Sequence, residues 1–89
     1  MSVWKEYVSN IEETCGEERY YIVMLRHEKR EEAIKKILER SHVISSLSGL
    51  VFEISFQNVP IRLYKTGKIL LRKLENKEEA EKILDKLLQ

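Results

Sequence analysis

The chain is poor in the residues that staple, break or anchor a fold. Its 89 residues include one cysteine, one proline and three glycines, and no long apolar run. A lone Cys15 excludes an internal disulfide and disfavours a stapled secreted scaffold. With only His27 and His42 beside it, that cysteine has no partners at the spacing of a zinc site, so no metal and no cofactor are expected. No stretch approaches the roughly 20 apolar residues of a membrane span, and the N-terminus lacks the apolar core of a signal peptide. A cytoplasmic protein without a membrane partner is the expectation. Neither sign of charge dominates, with 16 basic residues against 15 acidic ones. No global field therefore draws the chain to nucleic acid, and any such binding needs a local patch.

What is present is enough for one globular domain. An apolar fraction of 43% and a charged fraction of 35% belong to a folded chain, and the length allows a single thin core. The Glu, Lys and Ile content is of the kind found in thermophiles. Residues 2–13 carry Val3, Trp4, Tyr7, Val8 and Ile11 at helical spacing, which predicts an N-terminal amphipathic helix closed by Gly16. Residues 1–18 then form an extension to a domain of residues 19–89. Arg19 to Arg26 contains a continuous apolar run of β-formers and predicts a strand, either buried on both faces or completed by a partner beyond its edge.

Glu28 to Arg40 predicts a helix with Ala33, Ile34, Ile37 and Leu38 on one side and Glu31–Lys35 and Glu32–Lys36 pairs on the other. A short strand is expected at 41–45 and a turn at 46–49. Leu50 to Phe56 alternates, with Phe52, Ile54 and Phe56 on one face. Asn58-Val59-Pro60 turns the chain into a strand from Ile61 to Lys65, and Thr66-Gly67 is a two-residue hairpin returning as Lys68 to Leu74. Asn76 with Glu79 three residues on forms a capping box for a last helix with Ala80, Ile83, Leu84, Leu87 and Leu88 along one stripe. The expected fold class is α+β: a curved antiparallel meander with two helices on one face, plus the N-terminal helix. The other face of the sheet is left open.

No residue set converges on catalysis. The carboxylates fall in adjacent pairs, Glu12-Glu13, Glu17-Glu18, Glu31-Glu32 and Glu78-Glu79, and neighbours in sequence do not converge on one substrate. Cys15 has no base within sequence reach, and Thr66-Gly67-Lys68 is too short to cradle a phosphate. Neither an enzyme nor a small-molecule substrate is expected. One feature stands apart: Arg62, Lys65, Lys68, Arg72 and Lys73 lie along two strands joined by a turn, with Tyr64 among them. Cations interleaved with an aromatic on a β-ribbon suit a phosphate backbone and a stacked base. The same charges also suit an edge hairpin guarded against aggregation.

Leu47-Ser48-Gly49-Leu50-Val51-Phe52, Leu63-Tyr64-Lys65-Thr66-Gly67-Lys68-Ile69-Leu70 and Lys77-Glu78-Glu79-Ala80 resemble, in that order, three motifs of one repeat of the TATA-binding protein family. Arg19 to Arg40 fits the order of elements in that repeat without a sharp motif. In the family, two repeats form a saddle whose concave sheet face enters the DNA minor groove and wedges phenylalanines between bases. The resemblance implies wedges at Leu47 and Tyr64, and a concave face lined by Leu70 and Arg72 and by Tyr21, Val23 and Leu25. Single repeats of this kind also serve as appendages of some ribonucleases H that bind RNA–DNA hybrids.

Two functions follow as expectations. One is nucleic-acid binding through Leu47, Arg62, Tyr64, Lys65, Lys68, Leu70 and Arg72. The alternative is a protein-interaction module that binds no nucleic acid and homodimerises along the first strand, through Tyr20, Tyr21, Val23 and Leu25. With a single repeat, that strand is expected to be an exposed edge, and such edges are normally paired or covered.

Overall fold

A computed structural model describes residues 3–14 and 20–89. The expected roles of Cys15, Gly16 and Arg19 lie outside the described residues. Six strands, β1 (Val8–Glu13), β2 (Tyr20–Leu25), β3 (His42–Leu47), β4 (Val51–Phe56), β5 (Val59–Tyr64) and β6 (Lys68–Arg72), form one antiparallel sheet in the order β1-β2-β6-β5-β4-β3. Helices α1 (Arg30–Arg40) and α2 (Lys77–Leu88) join a single core with one face of that sheet. The α+β expectation is met in this form.

The register explains the core. Directly paired residues share a face, so Val43, Ile54, Ile61, Leu71 and Tyr21 make one row across the sheet, and Phe52, Leu63, Ile69, Val23 and Ile11 make the next. Both rows lie under the helices. Ile54, Ile61, Leu63, Ile69, Leu71, Tyr21 and Val23 are buried there against Ala33 and Ile37 of α1 and Ala80, Leu84, Leu87 and Leu88 of α2. The helices also join each other by polar contacts: Lys36 Nζ donates to the carbonyl of Leu88 and Arg40 donates to that of Leu87. Both cations thus sit at the carbonyl end of α2, where the helix dipole favours positive charge.

The N-terminal segment is the main departure from expectation. Val3–Glu6 is a single 3-10 turn, and Val8–Glu13 is a strand, β1, paired with β2 through five residue pairs. The helical stripe nevertheless named the right residues. Tyr7 and Val8 are buried, and Val3, Trp4 and Ile11 pack against the core. The open side of β2 decides the conformation. Its backbone N–H and C=O groups need partners, and a ladder to β1 supplies them, which an amphipathic helix cannot. Trp4 N–H donates to Asp85 Oδ1 at 3.1 Å, and Arg26 N–H to the Tyr7 carbonyl at 2.6 Å, fixing both ends of the turn. Lys29 and Lys36 place their ammonium groups 5.5 and 5.0 Å from the Tyr7 ring.

β2 is consequently an interior strand. Tyr20, Tyr21, Val23 and Leu25, expected at a free edge, lie between β1 and β6, so self-pairing along this strand would first require β1 to leave.

The turns follow local chemistry. Gln57 and Asn58 both take positive φ, 50° and 65°, giving a two-residue hairpin one step earlier than Asn58-Val59-Pro60 implied; Pro60 lies within β5. The β5–β6 loop holds three residues, Lys65-Thr66-Gly67, closed by Gly67 N–H to the Tyr64 carbonyl at 2.9 Å. Gly67 has φ 104°, and a Cβ there would stand 3.1 Å from Arg30 Cδ, so both backbone and space select glycine. Asn76 caps α2 as expected, its Oδ1 accepting from Glu79 N–H at 2.9 Å, while Glu79 Oε2 accepts from Glu75 N–H at 2.8 Å. Asn76→Ala is expected to cost about 1 kcal/mol, read as a shift in denaturant midpoint with unchanged slope; no shift would mean the cap is idle.

Candidate nucleic-acid interface

The helix-free face of the sheet is built from the alternate residues of the same strands. Because β2 to β6 pair in register, Ile22, Leu70, Arg62, Glu53 and Ser45 form its middle row. On one side of it stand Met24, Lys68, Tyr64, Val51 and Leu47, and on the other Tyr20, Arg72, Pro60 and Ser55. Most of these residues are half-buried by their neighbours alone, Leu70 is 9% exposed and Leu47 64%. The middle row is thus apolar on β2 and β6 and carries the Arg62 and Glu53 charges on β5 and β4, with Tyr64 and Lys68 on one side of it and Tyr20 and Arg72 on the other.

Arg62 is engaged within the face. Its Nε donates to Glu53 Oε1 at 2.6 Å across the β4–β5 ladder, with about a third of each side chain in water (36% and 35%). A hydrogen bond with Tyr64, then the bond and charge of Glu53, hold the guanidinium pKa above its ordinary value. Lys68 carries its ammonium 5.6 Å from the Tyr64 ring. Glu53, Arg62, Tyr64 and Lys68 therefore form one connected group on β4, β5 and β6, and a ligand that takes Arg62 must compete with Glu53.

Of the residues expected at this interface, Leu47, Arg62, Tyr64, Lys68, Leu70 and Arg72 do share the open face. Lys65 does not join them. It lies in the hairpin and lines a groove of about 390 Å³ beside α1, together with Arg30, Ile34 and Leu38. Tyr21, Val23 and Leu25, placed on the concave face by the resemblance, are buried on the opposite side under the helices. Their alternates Tyr20, Ile22 and Met24 take the open positions. Every residue of this strand is apolar or aromatic, so periodicity cannot choose its face; only the register with β6 does.

His27 begins a short 3-10 turn and His42 begins β3, both exposed. Among the described residues, no three His, Cys, Asp or Glu side chains gather as a metal site would need, and no helix is long and apolar enough to cross a membrane. The chain matches no protein-family model, no curated protein and no solved structure.

Proposed function

We propose that the chain is a non-enzymatic binding module that takes nucleic acid on its helix-free sheet face, as half of a saddle of the TATA-binding type. The observation that carries this reading is the Tyr64 ring on an uncovered sheet face, beside Lys68 and on the same face as Arg72 and Arg62. A π-face for a base next to cations for the backbone is the combination single strands and splayed duplexes require. The order of strand, helix, four-strand meander and long helix in residues 20–88 supports the resemblance drawn from Tyr64 to Lys68. A second reading, a protein partner on the same face, is favoured by the Arg62–Glu53 pair and by the apolar pair of Ile22 and Leu70.

Fluorescence anisotropy with labelled duplex DNA, single strands and RNA–DNA hybrid at low salt tests the proposal. With few cations on the face, the log–log salt slope is expected near about −2, at about 0.9 per phosphate neutralised on duplex. Tyr64→Ala is expected to weaken binding roughly 5- to 150-fold, the range of one lost base stack. Glu53→Gln releases Arg62 and is expected to tighten binding while steepening the slope by about one. If none of the three ligands binds to the wild-type chain or to E53Q at low salt, the nucleic-acid reading fails and the protein-partner reading stands.

A further inference from the structure

The two edges of the sheet are unlike. β1 presents Glu12 and Glu13 at one edge, with a bulge between Val8 and Asn10. These carboxylates repel any copy of themselves brought opposite, which is how edge strands are kept from pairing. At the other edge β3 reads His42-Val43-Ile44-Ser45-Ser46-Leu47, without a carboxylate, lysine, arginine or proline. All six of its residues are exposed. Val43 is 42% exposed, Ile44 63%, Leu47 64% and the adjoining Leu50 59%, which are four of the five large apolar side chains left in water among the described residues. Its one protective device is geometric, a bulge between Val43 and Ser45.

We propose that β3 is a self-association edge: two copies of the chain pair their β3 strands antiparallel about a two-fold axis perpendicular to the sheet. The charge pattern of the two edges favours a second copy as the occupant. β3 holds no carboxylate, lysine or arginine, so juxtaposing it with itself sets no like-charged side chains across the ladder, whereas β1 would set glutamates against glutamates. A perpendicular axis keeps both helix pairs on the same side, so the six strands of each copy join into one sheet of twelve with its open faces continuous. Val43 ends a covered row and Leu47 an open one, so each sheet face contributes an exposed apolar residue at the seam.

The pairing is independent of what the open face binds, and its test uses the protein without nucleic acid. Light scattering coupled to gel filtration at high micromolar concentration is expected to give twice the 10.6 kDa chain mass. Ile44→Lys, at a position 63% exposed, is expected to return the monomer with an unchanged melting temperature measured at a concentration where wild type is also monomeric. Asn10→Lys, on β1, is expected to leave the dimer intact. A wild-type monomer at high micromolar concentration overturns the proposal. So does a dimer that survives I44K, or one that N10K abolishes, since either places the contact elsewhere than β3.

Discussion

Deletion of residues 1–13 is expected to leave a chain that melts far below the intact domain and aggregates as it does so. The deleted segment removes the buried side chains of Tyr7 and Val8 and the packing of Val3, Trp4 and Ile11. At about 1.5–3 kcal/mol for each fully buried side chain of this size, the loss is on the order of 5 kcal/mol. Domains of this kind hold about 5–15 kcal/mol in all. The same deletion strips the ladder from β2 and exposes Tyr20 to Leu25 as an uncharged apolar edge. Circular dichroism melts with parallel light scattering measure both consequences. A truncated chain that stays monodisperse and melts within a few degrees of the parent would show that β1 is dispensable.

Three leucines of similar hydropathy are expected to differ sharply when cut to alanine. Leu71 is fully buried in the row joining Ile61 to Tyr21, and Leu71→Ala should cost about 3–4 kcal/mol, with the cavity left behind adding to the lost transfer energy. For a domain of this length the melting temperature then falls by roughly 15–25 °C. Leu70, one residue earlier on the open face and 9% exposed, should cost less, about 1–2 kcal/mol. Leu47, 64% exposed at the sheet edge, should change stability by less than about 0.5 kcal/mol. Urea midpoints of the three variants give the order directly. Equal losses at Leu70 and Leu71 would mean that the neighbours of Leu70 on the open face hold it as firmly as the core holds Leu71.

These contrasts show which features the residues carried on their own. The cap of α2 was legible because Asn76 and Glu79 act within one turn, and the two faces of β4 were legible because Phe52, Ile54 and Phe56 alternate with polar or smaller residues. Residues 2–13 misled, since Val3, Trp4, Tyr7, Val8 and Ile11 have helical spacing and the strand is imposed by the neighbouring backbone of β2. Local propensity gives way there to a tertiary requirement.

The candidate site divides in the same manner. Arg62 and Tyr64 share a face by the period of two, as do Lys68, Leu70 and Arg72, so each strand was readable alone. The partnership of Arg62 with Glu53 depends on β4–β5 register, whereas Lys65 is set apart from Arg62 and Tyr64 already by the period of two, and the loop of three residues takes it out of the strand. The choice between Tyr21 and Ile22 for the open face depends on β6, far along the chain.

That last pairing bears on how the chain is made. β3, β4 and β5 each pair with the next strand in sequence, so their ladders close short loops. β2 pairs with β6 across most of half the chain, Met24 opposite Lys68. During synthesis the β1–β2 hairpin and α1 therefore leave the ribosome before the strand that seats them exists. Tyr21 and Val23 have their β6 core partners, Leu71 and Ile69, only after those residues have been added. The β2–β6 ladder, the longest-range pairing of the sheet, can close only once β6 has been made.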